Sequence, residues 1–270
     1  MLRDDAAEKR ATLTRDRLVT KGGGMQERKF DIATDDGAMN TFVCHPEEGG
    51  PFPAIFFFHD APGIREELFE MARRIGTSGY YVIMPNIFYR SARHVVIDGN
   101  RADVEGAYDR TLMLEMILSI SNAMAVDDAR AVLATVAKDS AAKSGPIGAV
   151  GYCMGGRFAI FAAAEFPEIA VTAAYCATAM VTDKADSPHL MVSRIKGEVY
   201  FGCGEADPLL PPDHIAQLRE NLKAGAVSHR IEIYPGTGHA FAFRDRDAHV
   251  QAAEDRHWER MLALFREHVG

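Results

Sequence analysis

The sequence predicts an α/β fold in which a mainly parallel, doubly wound sheet carries helices on both faces. Three observations predict it. Short unbroken apolar runs such as Pro53-Ala54-Ile55-Phe56-Phe57-Phe58 recur along the chain, and they suit strands covered on both faces. Stretches with helical spacing separate these runs. Around Gly151–Gly156 an apolar strand turns sharply into a helix rich in small and apolar residues. With 270 residues, 47% of them hydrophobic, the chain can bury one large core, so a single domain over 25–270 is expected.

Residues 1–24 are charged and end in Gly22-Gly23-Gly24, which reads as an appendage, either flexible or helical. Arg28 to Thr34 and Met39 to His45 flank Asp35-Asp36-Gly37 and alternate as a hairpin at the sheet edge. The buried strand 53–59 follows and ends at Asp60-Ala61-Pro62-Gly63, where a loop begins. Leu68 to Ile75 has helical spacing closed by Gly76 and Gly79, and Tyr80 to Pro85 reads as the next buried strand. Some sixty residues then separate Pro85 from the strand that starts at Pro146, far more than a bare crossover needs. Ala129, Val132, Leu133, Val136 and Ala137 make the crossover helix. Residues 91–124 are left as an insertion walling the top of the sheet. Beyond the glycine-rich turn come strands at 171–176 and 198–203, a helix at 213–224, a strand at 230–234 and a helix at about 250–268.

The formal charge of −8 disfavours nucleic acid or an anionic membrane surface as partner, since either calls for a basic patch. The four cysteines, Cys44, Cys153, Cys176 and Cys203, form no C-x-x-C pair, and no His/Cys cluster has zinc spacing. No metal and no cofactor is therefore expected. The first twenty residues lack a signal-peptide core and no run approaches eighteen apolar residues, so a cytoplasmic chain without a membrane span is expected, as monomer or homodimer.

Gly151-Tyr152-Cys153-Met154-Gly155 has the pattern of a nucleophile elbow with sulfur in place of the serine oxygen. Taken alone, it also fits a buried structural cysteine. A thiol attacks carbonyls well only as thiolate, so an imidazole must take its proton and a carboxylate must orient that imidazole. Asp207 follows the strand ending near Cys203, and His239 follows the strand ending at Tyr234. In a parallel sheet both loops open on the elbow's edge. The order nucleophile, acid, histidine completes a Cys153-His239-Asp207 triad. Glu205 is the second choice for the acid. His214, His249, His257 and His268 sit on or beside helices, and His189 follows a proline in a loop.

The combination Gly151-Tyr152-Cys153-Met154-Gly155-Gly156, Gly204-Glu205-Ala206-Asp207 and Gly238-His239-Ala240-Phe241, with Pro85-Asn86-Ile87-Phe88-Tyr89, resembles the dienelactone hydrolase family (carboxymethylenebutenolidases) of the α/β-hydrolase fold. The likeness runs from about Phe30 to the C-terminus. It implies opening of a small ester or lactone through an acyl-thioester on Cys153, with the backbone N–H groups of Met154 and Ala61 as oxyanion donors. The family carries a thiol-pairing glutamate where this chain has the shorter Asp60. Its members grip a substrate carboxylate with arginines, one of them four residues after the histidine, where this chain has Phe243. Arg90, Arg93, Arg101 and Arg244 are the candidate substitutes. With Phe88, Tyr89, Phe241 and Phe243 as lining, the expected pocket is small, apolar and lightly charged, favouring neutral esters or lactones. Two other readings keep the same residues. One is a carboxylesterase or thioesterase for small acyl groups, the other a non-catalytic ligand-binding or redox-sensing module built on Cys153.

Overall fold

The computed structural model of the chain describes residues 24–98 and 108–270. The expected appendage lies outside the described residues except for Gly24, and Arg101 lies outside them too. An antiparallel hairpin, β1 (Met25–Thr34) and β2 (Gly37–Pro46), turns at Asp35-Asp36. It leads to β3 (Ala54–Phe58), α1 (Glu66–Thr77) and β4 (Tyr81–Pro85). Next come α2 (Tyr108–Leu118), α3 (Asn122–Val136), β5 (Ile147–Tyr152) and α4 (Met154–Glu165). The chain finishes with β6 (Ile169–Tyr175), a four-residue α5 (Pro188–Met191), β7 (Glu198–Gly204), α6 (Pro212–Ala224), β8 (His229–Tyr234) and α7 (Gln251–His268).

The eight strands form one sheet in the order β1-β2-β4-β3-β5-β6-β7-β8. Pairing is antiparallel from β1 to β4 and parallel from β4 through β8. Among its described residues the insertion contains α2, and α3 begins at Asn122, well before the expected crossover helix. Ser121 caps α3 by accepting the Met124 N–H at 3.1 Å.

Alternation along the central strands assigns side chains to two cores. Ala54, Phe56 and Phe58 of β3 face the layer of α3, α4 and α6. Ile55 and Phe57 face the layer of α1 and α7. All five are essentially inaccessible, and each large side chain so placed contributes about 1.5–3 kcal/mol. Such continuous burial explains why these strands read as unbroken apolar runs. Because β3, β5, β7 and β8 run the same way, the loops carrying Ala61, Cys153, Asp207 and His239 all leave the sheet at its C-terminal edge.

Candidate active site

Cys153 sits between β5 and α4 with φ 53° and ψ −119°, a left-handed conformation that side chains rarely adopt. The surroundings hold it there. Its N–H donates to Tyr175 O at 3.0 Å, and its carbonyl accepts from Thr178 N–H at 3.1 Å. A Cβ on Gly151 would collide with the Gly155 carbonyl, and one on Gly155 with the carbonyls of Phe58 and His59. The glycines thus let the first turn of α4 lie directly on β3 and β5. Cys153 is half-buried, whereas Cys44, Cys176 and Cys203 are buried.

His239 completes a continuous hydrogen-bonded chain. Its Nε2 lies 3.1 Å from Cys153 Sγ, and its Nδ1 lies 2.8 Å from Asp207 Oδ2. The other Asp207 oxygen accepts the Leu209 N–H at 2.9 Å, and the residue is buried. Two further contacts join the acid loop to the histidine loop. Ala206 N–H donates to Thr237 O at 2.8 Å, and Gly236 N–H donates to Glu205 Oε2 at 2.8 Å. Glu205 is therefore engaged elsewhere, and Asp207 is the carboxylate that meets His239. Burial of the ring would push its pKa down. The facing Cys153 sulfur and the hydrogen bonds to Asp207 and Cys153 outweigh that, holding His239 well above the ordinary imidazole value.

The loop after β3 is braced on both sides. The fully buried His59 donates from Nδ1 to Asp60 O at 2.7 Å and accepts the Ile87 N–H at Nε2, at 3.0 Å. This fixes its neutral tautomer, in keeping with a pKa lowered by burial. Arg65, largely buried, donates to Asp60 Oδ1 at 2.7 Å and to Gly63 O at 3.2 Å. It also pairs with Asp245 in the segment after His239 and lies 5.2 Å over the Phe243 ring. One guanidinium thereby ties the Ala61 loop to the His239 loop.

These contacts correct several expectations. The Asp60 carboxylate is committed to Arg65, so it is not a free partner for the thiol. Phe241 and Phe243 are fully buried in the core under α1 and α7, and Phe88 is buried edge-on against His59, so none of the three offers an open pocket wall. Tyr89 bonds Thr34 and Asp128. Arg90 is bidentate on Asp128 at 2.8 and 2.9 Å, Arg93 pairs with Asp31, and Arg244 with Glu254. Each is neutralised by an acid that its surrounding sequence does not announce. His189 starts a short helix rather than a loop and meets Ser187 Oγ at 2.8 Å. His257 lies on α7, as expected. It lies fully buried, with Nε2 2.7 Å from the Tyr152 hydroxyl, and has its pKa pushed down to about 3 by burial.

Two residues near the triad or the elbow in the chain were given no role from sequence. Cys176, at the exit of β6, has a ligand atom within 4.8 Å of those of Asp207 and His239. The trio does not fit a metal site, because both His239 nitrogens already face Asp207 and Cys153, and burial pushes the Cys176 thiol up to about 12. The other is Arg157, on the first turn of α4. A cavity of about 290 Å³ lined by Lys29, Phe42, Phe69 and Arg93 lies on the β1–β2 flank and contains no member of the Cys153-His239-Asp207 group. Among the described residues no helix is long and apolar enough to cross a membrane.

The model of the dienelactone hydrolase family matches residues 39–269. A provisionally named carboxymethylenebutenolidase of Methylorubrum extorquens is 24% identical over 255 residues, spanning 93% of this chain and 84% of that protein. Among solved structures, a provisionally named dienelactone hydrolase of Klebsiella pneumoniae superposes with a TM-score of 0.80 at 22% identity, over 91% of this chain and 100% of that one. A dienelactone hydrolase-like promiscuous phosphotriesterase from metagenomic libraries gives 0.76 at 19% identity, over 92% and 100%. At such identities the structural likeness speaks for the α/β-hydrolase fold.

Proposed function

The chain belongs to the dienelactone hydrolase family, and from that premise we propose that it hydrolyses small esters or lactones through an acyl-thioester on Cys153. The observation that carries the reading is the chain of hydrogen bonds from Asp207 through His239 to the Cys153 sulfur, at 2.8 and 3.1 Å. Only a half-buried thiol at a strained turn, facing an imidazole that a buried carboxylate orients, combines access with activation.

The attacking form is the one in which His239 Nε2 has taken the proton of the Cys153 thiol, in line with the raised pKa of His239. The sulfur attacks the substrate carbonyl carbon, and the electron pair of the C=O bond moves to oxygen. The oxyanion meets the N–H groups of Met154, first residue of α4, and of Ala61, in the loop after β3. As the carbon–oxygen bond to the leaving group breaks, His239 gives its Nε2 proton to that oxygen and becomes neutral. Asp207 keeps Nδ1 protonated throughout, so Nε2 is the nitrogen that exchanges the proton. Water then attacks the thioester while His239 Nε2 takes one of its protons. Collapse of the second tetrahedral species releases the acid and restores the thiolate and imidazolium. A lactone follows the same course with the leaving oxygen still tethered.

The test is Cys153→Ala assayed on aryl acetates, with mass spectrometry of the wild type quenched during turnover. The variant should stay folded and lose kcat/KM by on the order of 10⁴-fold. The quenched wild type should carry one acyl group on the Cys153 peptide. A variant hydrolysing at the parent rate would end this assignment.

A further inference from the structure

A trans peptide group carries its C=O and its N–H on opposite sides, so whatever holds a carbonyl also decides where the next N–H points. The peptide between Asp60 and Ala61 is held in this way. Its carbonyl accepts from His59 Nδ1–H at 2.7 Å and from the Gly63 N–H at 3.2 Å. The second bond closes a four-residue turn with Pro62 at its third position, where proline disfavours the commonest turn, so the shorter bond from His59 is the firmer hold. His59 is fixed in its turn. Its ring is fully buried, meets Phe88 edge-on at 5.1 Å between ring centres, and accepts the Ile87 N–H at Nε2, at 3.0 Å.

The sheet gives that hold a direction. In the order β4-β3-β5, Ile87 lies just beyond β4 and Cys153 just beyond β5, on opposite sides of the segment that leaves β3. With the His59 ring on the β4 side and the Asp60 carbonyl turned towards it, the Ala61 N–H is turned towards the elbow. The two sides touch there, since a Cβ on Gly155, in the first turn of α4, would collide with the carbonyl oxygens of both Phe58 and His59. Ala61 is buried, yet its N–H makes no hydrogen bond among the described residues, and the N–H of Met154, first of α4, has no partner within the helix. A buried N–H without an acceptor is costly to keep, so two of them beside the thiol mark the place of a negative oxygen.

We propose that His59 is a positioning residue that presets the oxyanion hole, its Nδ1–H locking the Asp60 carbonyl so that the Ala61 N–H faces the Cys153 elbow. The proposal rests on the reading of Cys153 as nucleophile and of Ala61 and Met154 as donors. His59 itself touches no substrate. It acts through one peptide plane, because a released Asp60 carbonyl lets that plane rotate, which takes the donor away from the oxyanion and turns the negative end of the carbonyl towards it. The Ile87 N–H completes the device. It needs a bare Nε2, and so keeps the ring proton on Nδ1, where the Asp60 carbonyl uses it. Arg65 braces the same loop through the Asp60 carboxylate rather than through the Asp60 carbonyl.

The experiment uses the full chain and a pair of esters, 4-nitrophenyl butyrate and its thiono counterpart, in which sulfur replaces the carbonyl oxygen. Sulfur is a weak acceptor, so the thiono ester draws little from an oxyanion hole. The ratio of kcat/KM for the two, each divided by its rate with hydroxide, therefore reads the hole itself. His59→Phe, a ring without either hydrogen bond, should lower kcat/KM on the oxygen ester by on the order of 10²-fold and on the thiono ester only a few-fold, so the ratio collapses. His59→Gln, whose amide offers both a donor and an acceptor, should keep most of the ratio. Should the phenylalanine variant not fold, His59→Asn, which still donates to the Asp60 carbonyl but is too short for Ile87, should show a partial fall of the same ratio. A ratio unchanged while both rates fall together would show a ring that only supports the fold and would overturn the proposal, as would an unchanged rate on the oxygen ester in His59→Phe. Turnover surviving in Cys153→Ala would instead overturn the nucleophile, and a wild type without preference for the oxygen ester would overturn the two donors, which keeps the failures distinct.

Discussion

Replacing Asp207 by asparagine tests the site at the contact that sets its protonation. In the wild type the imidazolium of His239 is held by a sulfur at 3.1 Å and a buried carboxylate at 2.8 Å. Asparagine preserves the shape and removes the charge. A hydrogen bond to a charged group is worth about 1.5–3 kcal/mol, so at 1.36 kcal/mol per unit the His239 pKa should fall by about one to two units. Turnover needs the imidazolium to protonate the leaving oxygen, so kcat/KM declines on the alkaline side as that proton is lost. In the wild type this limb should lie well above 6.5, because the folded pKa is raised. In Asp207→Asn it should move down by one to two pH units, with the plateau lowered between about tenfold and 150-fold. The proton also has a stability sign. Native His239 keeps it to a higher pH than the unfolded chain does, so its stabilising contribution is complete below about 6.5 and is lost as pH rises through the folded value. The asparagine variant should show a smaller loss of stability over that window. Initial rates across a pH series, with urea midpoints on the same buffers, measure both. An alkaline limb that stayed in place in Asp207→Asn but moved in Glu205→Gln would refute the assignment of the acid.

Other outcomes follow from the same contacts. Iodoacetamide should label Cys153 first and abolish activity in step with labelling, since burial pushes Cys176 and Cys203 up to about 12 and Cys44 higher still; early labelling of any of those three by peptide mass mapping would contradict this. Tyr152→Phe should destabilise the fold by about 1–3 kcal/mol in urea, because it leaves Nε2 of the fully buried, neutral His257 without its hydrogen-bond partner; an unchanged midpoint would show that this bond to α7 carries no net stability.

Much of the fold was legible because its signals are local. Unbroken apolar runs mark strands covered twice, and the two-face alternation of β3 and β4 is that same fact seen in space. The elbow was legible for a related reason. A left-handed cysteine with helix α4 lying on β3 and β5 admits little but glycine at 151 and 155, so the backbone constraint is written in residue type. Asp207 and His239 were found because parallel strands bring successive loops to one edge, which topology dictates without any distance being known. The order inside the insertion was less legible. The helix α2 has apolar residues on all sides, Leu114 and Leu118 among the exposed ones, so no stripe announced which face packs.

Charge was the least legible layer, because an arginine's partner comes from anywhere in the chain. Asp128, on the crossover helix, neutralises Arg90 from 38 residues away, and Asp245 reaches Arg65 across 180. From sequence, Arg90, Arg93 and Arg244 stood near the strand ends and looked available. Folding spends them on acids that pin the loops after β4 and β8, as it spends the largely buried Arg65 on Asp60 in the loop after β3 and on Asp245 in the segment after His239. The paired charges therefore act on position, because loops locked by neutralised arginines hold the backbone around Ala61 and the His239 imidazole beside the Cys153 elbow.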